Sequence, residues 1–325
     1  MSCGDLYFEK FRHQYSLLSA YFRHSLSLEA DQLDVNSFAS LELKRDNFNR
    51  ALATEIEQCR SRSPHLFATR YSGTFFGIKQ AIEADAIVAA LKDRQTACKS
   101  ADDKLRWGTI ALGRALLKIS NSPGHFAQYL KPKATTYRRY LALRRRSLWA
   151  EWLASTACLG PLGDPEWRRG NRAFNQDSLA LLPRLARAKA EIGVIYADPP
   201  YTNDQYSRFY HLLETLCLYD YPKTTGAGLY RPNRFHTAFS IKSKAAHALQ
   251  TLVETSAKTG ADLILSYPRG GVAIEAGADI PRMLRRNFRR VEVCHSAPQQ
   301  HSTFGASKGS ARAEATEVVY LARSA

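Results

Sequence analysis

The sequence predicts an α/β fold in which a mostly parallel sheet with an antiparallel edge hairpin follows a mainly helical region. Apolar residues recur at helical spacing within residues 1–165, without strand alternation. Residues 166–325 instead contain short, almost continuously apolar runs separated by helical segments. Such runs are typical of parallel strands covered on both faces. We therefore expect two domains, residues 1–165 and 166–325, with the GPLGDP segment at the boundary.

The first region contains two segments with clear helical spacing, residues 80–93 and 105–120, and the SPG sequence at residues 122–124 ends the second. Residues 131–146 then read KPKATTYRRYLALRRR, a segment with seven basic residues and no acidic one. Aromatic and aliphatic side chains interrupt the basic ones. This segment is the first candidate for contact with a polyanion.

The second region alternates strands and helices. The predicted strands are residues 172–174, 192–197, 262–267, 290–295 and 317–322. The predicted helices are residues 178–190, 206–218, 242–259 and 280–287. The last two strands are joined by a glycine- and serine-rich loop without a helix, which predicts the antiparallel edge hairpin.

Composition narrows the classes of function. Lys and Arg number 46 and Asp and Glu 30, so the net charge is +16, which favours a polyanionic partner. A hydrophobic fraction of 45% excludes disorder as the main state. No apolar run reaches the roughly 20 residues that span a bilayer, and the charged start is unlike a signal peptide. We expect a cytoplasmic protein without a membrane partner.

The six cysteines lie far apart, with no paired spacing such as C-x-x-C. This pattern predicts neither a zinc site nor a disulfide framework. We expect free thiols of a reducing compartment and no bound metal.

The most informative motif is Asp198-Pro199-Pro200-Tyr201, which directly follows the predicted strand at residues 192–197. Ligands of open α/β sheets bind at the carboxyl ends of strands. The prolines fix φ at about −65° and lack N–H donors, so the corner presents acceptors only, beside an aromatic ring. This arrangement suits a planar group with an NH₂, such as a nucleobase. The alternative is a rigid turn with an exposed Asp.

These residues resemble a known family. Asp198 to Tyr201 match the D-P-P-Y motif of amino methyltransferases, and QYSRFYHLLETL resembles the D12-type adenine-specific DNA methyltransferases, which include the Dam-like enzymes. Three other segments resemble the same family: RYSGTFFGIKQAIEADAI, RAFNQDSLALLPRL and LILSYPRGG, at residues 70–87, 172–185 and 263–271. The resemblance covers residues 70–322.

The resemblance implies a Rossmann-like methyltransferase sheet, S-adenosylmethionine as methyl donor, and the N6 amino group of an adenine flipped out of double-stranded DNA as acceptor. It also implies the setting of a restriction–modification system, with a cognate restriction endonuclease as partner. Asp198 and the Pro199 carbonyl would accept hydrogen bonds from the amine, and Tyr201 would stack on the base. Positioning and electrostatics would supply the rate of a direct displacement.

Further site residues are expected from the resemblance (Asp177), from the position after the motif (Tyr206) or from the basic charge of a segment, each with a structural alternative. Asp177 would lie near the adenosine part of the donor, or it caps the following helix. Tyr206 would line the base pocket, or it packs its helix on the sheet. Seven basic residues would contact DNA phosphates, or they form a solvated helix face. They are Lys131, Lys133, Arg138, Arg139, Arg144, Arg145 and Arg146.

One family feature is missing from the sequence. D12 enzymes carry, near the N-terminus, a strand and a glycine-rich F-x-G-x-G loop for the methionine end of the donor, whereas residues 1–70 contain only Gly4. The expected sheet is therefore incomplete. Three explanations stay open: a truncated or misassigned reading frame, a domain completed by another chain, or a relative that binds nucleic acid without catalysis. RNA adenine and cytosine N4 also stay open as acceptors, although Asp198 favours adenine.

Overall fold

The computed structural model describes residues 65–93, 101–131, 133–295, 299–302 and 312–324, together with residue 36. The chain divides into two units. The first comprises Met1–Leu162 and Arg208–Arg234, and the second comprises Gly163–Ser207 and Phe235–Ala325. Residues 208–234 thus fold with the first unit. The predicted domain boundary after residue 165 stays a prediction.

The described helices, in chain order, are α1 (Leu66–Arg70), α2 (Ile78–Asp93), α3 (Ala101–Ile119), α4 (Tyr137–Arg144), α5 (Leu148–Cys158), α6 (Pro165–Arg168), α7 (Ser178–Arg187), α8 (Ser207–Leu218), α9 (Lys242–Lys258), α10 (Val272–Glu275) and α11 (Ile280–Asn287). The described strands are β1 (Val194–Ala197), β2 (Asp262–Pro268), β3 (Arg290–His295), β4 (Gln299–Ser302), β5 (Arg312–Ala315) and β6 (Glu317–Arg323).

The first unit is helical and is built around buried aromatic rings contributed mainly by α1 and the turn that follows it. The side chain of Asp85 in α2 ties these parts together. Its two carboxylate oxygens accept from the backbone N–H groups of Phe67 and Ala68, each at 2.9 Å, and it also accepts from the Tyr219 hydroxyl. Burial raises the pKa of Asp85 to about 8, against the opposing effect of these three donors.

His211 in α8 belongs to this core. It is buried, and its Nε2 lies 2.8 Å from the carbonyl oxygen of Phe126. Burial lowers the pKa of His211 to about 4, so the imidazole is neutral at pH 7. His211 is thus a buried side chain of the first unit, held by a backbone carbonyl.

The second unit contains a four-stranded sheet of order β1-β2-β6-β3. β1 runs parallel to β2, whereas β6 lies antiparallel to both β2 and β3. Three strands therefore share one direction and the reversed β6 lies between two of them, so two of the three pairings are antiparallel. The prediction of a mostly parallel sheet is wrong in this respect: the described sheet is mixed, because β6 returns between β2 and β3. The predicted antiparallel pairing of the last two strands is confirmed, with β3 at the edge. β4 and β5 form a separate antiparallel pair.

One predicted strand is wrong. Residues 172–174 have no regular secondary structure and no strand partner in the described part of the molecule. A strand exists only when a neighbour pairs its backbone N–H and C=O groups, and the described sheet, of order β1-β2-β6-β3, does not include these residues.

The two faces of the sheet differ. One face carries Leu263, Leu265 and Tyr267 from β2, which are buried in a core shared with α9, α10 and α11. The opposite face carries Val194 and Tyr196 from β1, which are 55% and 65% exposed. No helix of the described residues is long and apolar enough to cross a membrane.

Candidate active site

Residues Asp198 to Tyr201, called the acceptor corner below, directly follow a strand, as the sequence predicts. Ala197, the last residue of β1, pairs with Leu265 of β2, so Asp198 stands at the carboxyl end of a parallel pair. Pro199 is buried, Tyr201 is partly buried and Asp198 is exposed. The structure therefore presents the carboxylate to solvent and anchors the backbone behind it.

Hydrogen bonds fix the loop that follows the corner. The Tyr201 carbonyl accepts from the Val272 N–H at 2.9 Å. The Gln205 amide pairs twice with the backbone of Thr237, accepting at 2.8 Å and donating at 3.3 Å. The Ser240 hydroxyl donates to the Asp204 carbonyl at 3.0 Å. A loop held at several points is preorganised, which lowers the cost of ordering it around a ligand.

An aromatic contact supports the Tyr201 ring. It meets the ring of Tyr267 edge to face, with centroids 6.5 Å apart. Tyr267 is buried, and its hydroxyl accepts from the Ala273 N–H at 2.9 Å. A Cβ at Gly271 would lie 2.3 Å from the Tyr267 ring, so only glycine fits there. Tyr267 is thus a core residue whose ring packs against the ring of Tyr201.

The carboxylates of Asp198 and Glu317 place negative charge at the corner. Partial desolvation raises the pKa of Asp198, and the charge of Glu317 raises it further. Desolvation and the carboxylates of Glu317 and Asp198 likewise raise the pKa of Tyr201. Within the described ranges, no lysine or arginine forms an ion pair with Asp198. The carboxylate is therefore available to accept hydrogen bonds from a ligand.

Sequence reasoning missed Glu317. This residue begins β6, and its Oε1 accepts from the Ser266 hydroxyl at 3.4 Å. The only sequence signal was its position at the start of the predicted strand at residues 317–322. The insertion of the reversed β6 beside β2 brings that strand start to the carboxyl end of β1, and a local pattern cannot show this pairing.

Asp177 lies at the start of a helix, and Tyr206 lies in the loop after the acceptor corner. Asp177 is the N-cap of α7, where its Oδ1 accepts from the Leu179 N–H at 2.8 Å. The capping alternative is thus present, while a role toward the donor stays a prediction. Tyr206 is partly buried in the loop after the corner, and its role in a base pocket also stays a prediction.

The predicted phosphate-contacting residues differ in exposure. Six of them have exposed side chains: Lys131, Lys133, Arg138, Arg139, Arg145 and Arg146. Arg144 is buried, and its guanidinium donates to the Tyr140 hydroxyl at 2.7 Å and to the Thr74 carbonyl at 3.1 Å. Because these bonds hold Arg144 inside the first unit, we leave it out of the phosphate-contacting set.

The described ranges contain no group of three or more His, Cys, Asp or Glu side chains placed to hold a metal ion.

The structure thus combines an α/β sheet with a proline corner of hydrogen-bond acceptors beside a tyrosine ring, an arrangement that suits a planar amino group. Residues 184–267, which include this corner, match the family model of the D12 class N6 adenine-specific DNA methyltransferases. The resemblance seen in the sequence is thereby confirmed.

Curated relatives agree with this family. The chain is 26% identical over 282 residues to the type II methyltransferase M.FokI of Planomicrobium okeanokoites. The matched region covers 82% of this chain and 39% of that protein. It is 36% identical over 84 residues to the modification methylase LlaI of Lactococcus lactis subsp. lactis, covering 26% of this chain and 13% of the relative. It is 32% identical over 106 residues to the modification methylase StsI of Streptococcus sanguinis, covering 32% and 15%.

The chain thus spans 39% or less of the length of these three relatives. No solved structure matches it.

Proposed function

We propose that this chain forms part of an S-adenosylmethionine-dependent DNA adenine N6-methyltransferase of a restriction–modification system. It forms the part that holds the methyl-accepting adenine. The observation that supports this most strongly is the Asp198 to Tyr201 corner, which stands at the carboxyl end of β1 within the segment that matches the D12 family. The relatives carry the names methyltransferase and modification methylase. Double-stranded DNA is the proposed substrate, and an endonuclease is the proposed partner.

The corner selects its ligand by hydrogen-bond polarity. Asp198 and the Pro199 carbonyl accept the two hydrogens of an exocyclic amino group, while Tyr201 stacks on the ring of the extruded base. A keto oxygen in the same place would face acceptors only and would be repelled. Holding both amino hydrogens directs the nitrogen lone pair out of this corner, so the geometry of attack is set before reaction.

D12 and type II adenine methyltransferases use S-adenosylmethionine. A bound donor would supply a methyl group to the lone pair of the amino nitrogen, and the electrons of the broken C–S bond would go to sulfur. The nitrogen then carries a positive charge and must release one proton. The acceptor corner stabilises that charge electrostatically.

The described residues do not fit the methionine end of the donor. A cradle for it requires glycines whose backbone stands open to the ligand. In the second unit, the paired glycines after β2 are Gly270 and Gly271, and the space above Gly271 is filled by the Tyr267 ring. Among the described residues, Asp177 is therefore the one proposed contact with the donor, to its adenosine part.

This packing of Gly271 supports a second candidate function, a nucleic-acid-binding relative that keeps the fold and the charge without catalysis. The two candidates differ in donor binding. A titration with methyl-labelled S-adenosylmethionine shows saturable binding if the chain is an enzyme and none if it is a binding protein.

The product test uses the full chain, labelled S-adenosylmethionine, and duplex DNA or RNA of mixed sequence. After digestion, mass spectrometry identifies the methylated nucleoside. We expect N6-methyladenine in DNA. Methylated cytosine, or label found only in RNA, would overturn the proposed substrate, and no methylated nucleoside in either polymer would favour the binding protein.

A further inference from the structure

Two strand neighbours place polar side chains side by side at the carboxyl end of β1. Ala197 pairs with Leu265, so the next residues along each strand, Asp198 and Ser266, stand at the same level. Successive side chains of a strand point to opposite faces. Asp198 and Ser266 therefore follow the face opposite to the buried Leu265.

Glu317 joins them from the other side of β2. It pairs with Pro268, two residues beyond Ser266, and so belongs to the same face of the sheet. The Ser266 hydroxyl donates to Glu317 Oε1 at 3.4 Å, which orients the carboxylate. The charge of Glu317 acts on both Asp198 and Tyr201, consistent with a position beside the corner.

We propose that Glu317 is a positioning residue of the acceptor corner, a second carboxylate that acts through Asp198 to stabilise positive charge on the amino nitrogen. This inference rests on the proposed function and deepens it. Asp198 and the Pro199 carbonyl already take both amino hydrogens, so Glu317 has no hydrogen left to accept. It acts instead by adding negative potential behind Asp198.

Glu317 also makes Asp198 a better proton acceptor. Once the nitrogen is alkylated, it releases one proton to the Asp198 carboxylate, which passes it to solvent because Asp198 is exposed. A neighbouring negative charge favours the protonated carboxyl. Among the described residues, the other charged or titratable groups near this face include Tyr201 in the corner and Arg269, whose N–H donates to the Thr316 carbonyl at 3.1 Å in the turn after β2.

The test compares the full chain with Glu317→Gln, which keeps the shape and removes the charge. Glu292→Gln is the matched control, since Glu292 pairs with Leu321 and lies on the same face, toward the opposite end of β6. The rate of single-turnover DNA methylation is measured from pH 5 to pH 9. We expect Glu317→Gln to lower the plateau about 10-fold, or about 1.4 kcal/mol, and to move the acid limb to lower pH, while Glu292→Gln changes neither.

A second readout does not depend on activity. The carboxyl carbon of Asp198 is followed by NMR against pH in the ligand-free chain, and its signal is assigned by its loss in Asp198→Asn. We expect a lower midpoint in Glu317→Gln than in the wild type and no change in Glu292→Gln.

The outcomes separate the two proposals. If the wild type methylates DNA while Glu317→Gln keeps its rate, its acid limb and its Asp198 midpoint, the role of Glu317 is overturned and the proposed function stands. If the wild type methylates nothing but the midpoint moves as expected, the proposed function fails while the coupling of Glu317 to Asp198 stands.

Discussion

The ring of Tyr201 meets the ring of Tyr267 edge to face, with an interplanar angle of 82°. This contact joins the proposed base-stacking side chain to a residue that is 1% exposed and packed against the backbone of Gly271. The position of the stacking ring therefore depends on packing in the core of the second unit as well as on the loop that carries it.

Gly271→Ala is expected to weaken both stability and methylation. The added Cβ would lie 2.3 Å from the Tyr267 ring, so the ring must move, and overpacking of this kind costs about 1–3 kcal/mol. Urea unfolding measures the loss, and the displaced ring also lowers the methylation rate through Tyr201.

Gly270→Ala is the matched control, since no atom lies within 4 Å of a Cβ at this neighbouring position. Equal effects of the two substitutions would show that backbone freedom of the turn, rather than the fit against Tyr267, accounts for the glycine.

Tyr201→Phe is expected to keep most of the methylation rate, because the stacking face is unchanged, while Tyr201→Leu is expected to lose about 10-fold or more. Base–aromatic stacking contributes about 1–3 kcal/mol. The comparison uses initial rates at saturating DNA. A Phe variant as impaired as the Leu variant would assign the role of Tyr201 to its hydroxyl instead.

The exposed basic residues of α4 and the turn after it predict a salt-dependent affinity for DNA. Removing Arg138 and Arg145 together should weaken binding of a labelled duplex and reduce the slope of log affinity against log salt by roughly 2, about 0.9 for each phosphate contact. Lys258→Ala, an exposed cation at the end of α9, is the control. An unchanged slope in the double variant would place the DNA elsewhere.

Stability of the first unit is expected to peak near pH 6.5. Burial lowers the pKa of His65 and His211 from 6.5 to about 4, so both imidazoles take up protons on unfolding below pH 6.5, and stability falls toward acid. The pKa of Asp85 is raised from 3.8 to about 8, so unfolding releases its proton between these values. That release opposes the histidines below pH 6.5, and burial of Glu83, which also raises a carboxyl pKa, acts in the same direction as Asp85. Above pH 6.5 the release from Asp85 makes stability fall toward alkali.

Of the groups His65, His211 and Asp85, two take up protons on unfolding below pH 6.5 and one releases a proton, so these three together contribute a slope of at most about 1.4 kcal/mol per pH unit. Denaturant unfolding followed by tryptophan fluorescence reports on this unit, because Trp107, Trp149 and Trp152 lie in it. Asp85→Asn should remove the decline above pH 6.5. Stability that still rises between pH 6.5 and pH 8 in the wild type would contradict the protonated, buried Asp85.

Local signals were sufficient for several elements. The helix predicted at residues 280–287 and the strand at 290–295 have the bounds observed, Ile280–Asn287 and Arg290–His295. Asp279 caps this helix by accepting from the Arg282 N–H at 3.0 Å, and a proline stands in its first turn. Such start signals act over a few residues, so a single sequence can reveal them.

Distant pairings were not predictable in the same way. In the sequence, Arg144 cannot be distinguished from its basic neighbours. In the structure it differs from them because it donates to the Thr74 carbonyl, 70 residues away. Glu317 becomes part of the candidate site through its pairing opposite Pro268. The acceptor corner was recognisable because its chemistry is contained in four consecutive residues, whereas its electrostatics depend on a strand more than 100 residues later.

The most direct test of the central claim measures methylation and DNA affinity together for Asp198→Asn. The substitution keeps the shape of the side chain but places an NH₂ where the amino group of the base requires an acceptor. We expect N6-methyladenine formation to fall at least 100-fold, as for other groups that stabilise charge in a transition state. The affinity for duplex DNA should stay within about twofold of the wild type. The control Asn203→Ala, in the same loop, should behave as the wild type. Methylation at the wild-type rate by Asp198→Asn would contradict the account.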